Sequence, residues 1–64
     1  MRFIEVHPVD YPDRRIYINP ANIMAVGETE EQNALIFYNT VRSPEHVVES
    51  YDNVKMKIIK ALEE

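Results

Sequence analysis

Apolar and polar side chains alternate from Arg2 to Val9, with Ile4, Val6 and Pro8 on one side and Phe3, Glu5, His7 and Val9 on the other. A period of two in residues that favour extended backbone predicts a first strand over 2–9. The stretch Asp10-Tyr11-Pro12-Asp13-Arg14 then closes a hairpin, because Pro and Asp are turn formers. A second strand runs from Arg15 to Asn19, with Ile16 and Ile18 facing one way and Arg15, Tyr17 and Asn19 the other. Pro20 has no amide hydrogen for a ladder and drives Asn19 out of helical backbone, so the strand ends there. Pro20 to Ile23 suits a single helical turn whose free amides Asn19 caps. Ile23 to Glu28 reads as a third strand and Thr29 to Asn33 as an acidic turn. The fourth strand, Ala34 to Tyr38, is apolar at every position, as strands covered on both faces are. Asn39 to Glu45 is a loop or irregular edge, and His46 to Ser50 a fifth strand or extended lead-in.

From Ser50 the period changes to three and four. Tyr51, Val54, Ile58, Ala61 and Leu62 form one stripe of an amphipathic helix, with Ser50 as its N-cap. Asp52 in the first turn and Lys55, Lys57 and Lys60 further on follow the order the helix dipole favours, while Glu63 and Glu64 oppose it. The pattern thus predicts one α+β domain over 1–64: a small antiparallel sheet of four to five short strands with one C-terminal amphipathic helix packed on one face. Alternation assigns Ile4, Val6, Ile16, Ile18, Leu35 and Phe37, with Val26, to the covered face. It assigns Phe3, Tyr17, Ile36 and Tyr38, with Val48, to the other, which makes that face more apolar and aromatic than a solvated sheet face requires.

Size sharpens this point. A chain of 64 residues buries only about 60% of the surface its unfolded form exposes, so its own core supplies a slim margin. It has no cysteine, which excludes disulfides, thiolate metal sites and a catalytic thiol. Oligomerisation is the remaining common supplement. With 11 acidic against 7 basic residues the net charge is −4, which disfavours non-specific attraction to nucleic acid or an anionic membrane. The amino-terminal stretch alternates and carries Glu5 among its apolar residues, so it lacks the uninterrupted apolar segment of a secretory signal, and no run approaches the roughly 18 apolar residues of a membrane span. These features point to a cytoplasmic location and no membrane partner.

Candidate chemistry is sparse. His7 and His46 are the only imidazoles, and a structural metal site takes three or four converging ligands. Glu45 or Glu49 beside His46 offers no ligand-spaced motif, so neither metal nor other cofactor is predicted. Ser43 and Ser50 lack the glycine-flanked turn of a catalytic serine. Glu28, Glu30 and Glu31 lie in a solvated turn, and a single glycine builds no phosphate cradle. No enzymatic constellation emerges. Phe3, Tyr17 and Tyr38, with Arg2, Arg15 and Arg42 nearby, suit two kinds of partner. One is single-stranded nucleic acid stacked on the aromatics. The other, which the acidic net charge and the scatter of the arginines favour, is a second copy of the chain or an unidentified protein.

The order of elements, and Ile16, Tyr17, Ile18, Asn19 and Ile23 within it, resembles the small FlbD-like proteins. That family was first named for flagellar and swarming operons and is scattered through bacterial and phage genomes. Leu35, Ile36 and Phe37, then Val47 to Ser50, with Val54 and Ile58 in the helix, continue the likeness across nearly the whole chain. The family's Asn-Gly hairpins are replaced here by residues 10–14 and by Asn39-Thr40. The resemblance implies no catalytic residues. It implies a small assembly or regulatory partner, which fits a non-enzymatic, self-associating interaction module.

Overall fold

The fold, a computed structural model, describes residues 2–39 and 43–63. Arg42, Thr40 and Glu64 of the sequence reading lie outside the described residues. The architecture is α+β: strands β1 (Ile4–Val6), β2 (Ile16–Ile18), β3 (Ile23–Glu28), β4 (Asn33–Tyr38) and β5 (Glu45–Ser50), followed by helix α1 (Tyr51–Glu63). The strands form two antiparallel sheets, a ribbon of β1 and β2 and a three-stranded sheet in the order β3-β4-β5.

The predicted first strand is there, but it changes partners half-way. Ile4, Glu5 and Val6 pair with Ile18, Tyr17 and Ile16. Beyond Val6 the chain leaves β2 and joins β5: Pro8 bridges Val47, the Val9 amide donates to the His46 carbonyl at 2.9 Å, and the Val48 amide donates to the His7 carbonyl at 2.8 Å. A bulge in β5 makes this possible. Between the pairs Asn33–Ser50 and Leu35–His46, one residue of β4 faces three of β5, which bends β5 away from β4 and toward β1.

Asn19 behaves as geometry predicted. Its side-chain oxygen accepts from the Ala21 amide at 3.0 Å and starts a 3₁₀ turn, Pro20–Asn22, with Pro20 at its first position. The acidic turn is closed by Thr29, whose hydroxyl accepts from the Asn33 amide at 3.1 Å. Gln32 there adopts a left-handed φ of 71°. Its carbonyl takes the Tyr51 amide at 3.0 Å, fixing where the helix begins. Ser50 caps α1 as expected, accepting from the Asn53 amide at 3.1 Å.

The core consists of Ile4, Val6, Ile18, Ala34, Ile36 and Val47 from the strands with Val54 and Ala61 from α1, and Ile16, Val26 and Ile58 pack against it. Helix α1 touches β1, β3, β4 and β5, so it lies across the mouth of both sheets. On β4 the predicted faces are exchanged. Ile36, assigned to the open face, is 0% exposed at the centre of the core. Leu35 and Phe37, assigned to the covered face, are half-buried on the other side. The reason is register: Glu28 closes the hairpin opposite Ala34, which sets Val26 opposite Ile36 and Gly27 opposite Leu35. Phe37 fills the space over Gly27, where a Cβ would meet its ring at 3.3 Å.

Candidate protein interface

One side of β2 is paired with β1 and the other is open. Among the described residues Ile16–Ile18 make no backbone hydrogen bond outside the β1 ladder. A groove of about 470 Å³ lies beside β2, lined by Ile16, Tyr17, Ile18 and Asn19 together with Phe3, Asn22, Tyr38 and Glu45. The approach of these segments has a local cause. Pro20 ends β2 and the 3₁₀ turn carries Asn22 across to the second sheet. Asn22 is held there because its carbonyl accepts the Asn39 amide at 3.0 Å.

Three of the four residues assigned to the open face therefore meet at one place. Phe3 and Tyr17 are 61% and 64% exposed, large values for aromatic side chains in so small a domain. Tyr38 is half-buried, packs against the core and also lines the groove. Burial, and then the nearby Glu45 carboxylate, push the Tyr38 hydroxyl above its ordinary range. The fourth, Ile36, belongs to the core and not to this surface. Glu45 and Asn22 are groove residues that the strand pattern missed, because only the exchanged face of β4 and the turn after β2 bring them there.

Phe3 also borders a smaller concavity of about 300 Å³ with Arg2, Glu5, Lys57, Lys60 and Ala61. Lys57 is committed within it, its ammonium donating to the Glu5 carbonyl at 2.8 Å. On α1, Met56, Ile59 and Leu62 form an exposed ridge opposite the buried stripe, and Leu62, predicted to face inward, is on it.

The histidines are used separately. His7 donates its backbone amide to one Glu49 oxygen at 2.9 Å, and its Nδ1 lies 2.6 Å from the other. Nε2 lies 3.7 Å from Glu5. Burial alone would raise the Glu49 carboxyl, but hydrogen bonds from the His7 ring and from backbone amides outweigh it and hold the group below its ordinary value. With Glu49 at Nδ1 and Glu5 near Nε2, this unit clamps the chain after β1 to the β5 bulge. Of the two carboxylates weighed for His46, Glu45 and Glu49, the second is thereby taken, and His46 Nε2 is buried without a hydrogen-bond partner among the described residues. Among the described residues no three His, Asp or Glu side chains gather as metal ligands, and no described helix is long and apolar enough to cross a membrane.

Comparison with known proteins adds no relative. No family model, curated protein or solved structure matches the chain.

Proposed function

We propose that this protein is a non-enzymatic interaction module that self-associates, acting in the cytoplasm as an accessory or regulatory component of the kind the FlbD-like resemblance implies. The observation that carries this reading is the groove beside β2, where Phe3, Tyr17 and Tyr38 converge on an open sheet edge. Helix α1 packs on the strands of the core, and none of its described residues lines the groove. Exposed aromatics gathered at a concave edge lose unfavourable hydration when a partner covers them, and a small domain gains the stability its own core lacks. The carboxylate of Glu45 within the groove repels phosphate, which favours a protein partner over nucleic acid.

Sedimentation equilibrium and thermal unfolding over a range of concentrations test this. The expected result is a mass above the monomer and a melting temperature that rises with concentration, with Tyr17→Glu reverting the mass to the monomer while its circular dichroism stays native. A monomer at all concentrations, with a melting temperature independent of concentration, overturns the reading.

A further inference from the structure

The groove also constrains how a second copy would fit, and the following rests on the self-association proposed above. β2 is three residues long, bounded by the turn that ends at Arg14 and by Pro20. Two such edges overlap fully in only one antiparallel alignment, the one centred on Tyr17. In that alignment Tyr17 faces its own equivalent, Ile16 faces the second copy's Ile18, and Arg15 faces the second copy's Asn19. Asn19 and Glu45 both line the groove. Arg15 is exposed and makes no ion pair among the described residues, and with Arg14 it forms the only adjacent pair of basic residues in the chain.

We infer that two copies pair β2 to β2 across a two-fold axis at Tyr17, joining the two ribbons into one four-stranded sheet, with each Arg15 reaching the Glu45 carboxylate in the other copy's groove. The isologous arrangement uses both grooves at once and closes as a dimer rather than growing into a fibre. Backbone groups left open at the edge find partners, and Tyr17 and Phe3 of both copies share one apolar face. In a chain of net charge −4, two copies repel at long range, so the Arg15–Glu45 contact repeated on both sides of the axis sets alignment as well as adding attraction.

Two measurements on the full chain test this. The chain has no cysteine, so Tyr17→Cys, Met24→Cys and Leu62→Cys each place a single thiol, on β2, on the β3 edge and on the helix ridge. Under mild oxidation Tyr17→Cys is expected to cross-link into a dimer fastest, because the axis brings that position against itself. In sedimentation equilibrium of the reduced protein, Arg15→Glu and Glu45→Arg are each expected to weaken association by roughly tenfold or more, and the double swap to recover most of it. Preferential cross-linking through Met24→Cys or Leu62→Cys, or a double swap no better than its single variants, overturns the β2 pairing while leaving self-association in place. A monomeric mass with no cross-linking in any variant overturns both.

Discussion

Two sheet edges, β2 and β3, are finished differently. β3 carries a bulge at Met24, where two of its residues stand against one of β4, and its outer positions are small or flexible: Met24, Ala25 and Gly27. A bulge twists an edge away from flat pairing and is one of the ways folded proteins keep edges from templating other chains. β2 has no bulge and no charge between Ile16 and Ile18, and its groove is aromatic. Only its shortness limits it. The difference teaches that one small domain can finish two edges in two ways, β3 with a bulge and β2 with shortness alone, and the proposed pairing falls on the second.

The sharpest way to break that contrast is to remove what holds the guarded side together. Ile36 pairs with Val26 of β3 and is wholly buried. Ile36→Ala removes packing that cannot refill, at a cost of about 2–5 kcal/mol, as for other large-to-small changes in cores. For a domain this small the variant is expected to be largely unfolded in urea well below the wild-type midpoint. Tyr17→Glu, at the other edge, is expected to leave the urea midpoint of the isolated monomer nearly unchanged. Equal effects of the two would mean that the edges are not different in kind.

Ile36 also shows where the sequence stops being readable. The elements, their order, the Asn19 turn and the Ser50 cap follow from local chemistry, since each depends on residues a few positions apart. The face of β4 does not, because an unbroken apolar run has no alternation to read. The missing information was in the hairpin: once Glu28 closes opposite Ala34, covering Val26 obliges Ile36 to be covered too. The ribbon's switch from β2 to β5 was less accessible still, for it depends on a bulge that brings Glu49 to His7 across 42 positions. Of the proposed interface, Phe3 and Tyr17 were legible from alternation and composition; Tyr38, on the exchanged strand β4, and Glu45 and Asn22 required the fold.

The His7–Glu49 clamp joins the ribbon that carries the open edge to the sheet that carries the guarded one. Glu49→Gln is expected to cost on the order of 1 kcal/mol at neutral pH by removing a charged acceptor from two hydrogen bonds. The clamp is also sensitive to acid. Because the folded protein holds the Glu49 carboxyl below its ordinary value of 4.5, its contribution is complete above that pH and is lost as the pH falls through the lowered one. The wild-type melting temperature should therefore drop more steeply in that acid range than that of Glu49→Gln. Amide exchange gives the spatial check: in the variant, protection should fall in β1 and β2 before it falls in β3 and β4.

Asn19→Ala acts at the exit from β2. Losing the side-chain acceptor for the Ala21 amide should cost about 1 kcal/mol, the usual value for a cap. Because Asn19 also lines the groove, the variant separates two roles. A lowered melting temperature with unchanged association at low temperature assigns it to the turn alone, and weaker association beyond the loss of stability assigns it to the interface as well.

The smallest effect is expected at Met24. It is 67% exposed at the β3 bulge, so Met24→Lys removes little packing and adds a charge at an edge already turned from pairing. Surface changes of this kind stay within about 0.5 kcal/mol, and on a guarded edge the added charge has no partner copy to repel. Melting temperature and oligomeric mass should both match wild type. If Met24→Lys instead lowers the mass as Tyr17→Glu is expected to, β3 takes part in association, and the bulge at Met24 presents that edge to a neighbour instead of protecting it.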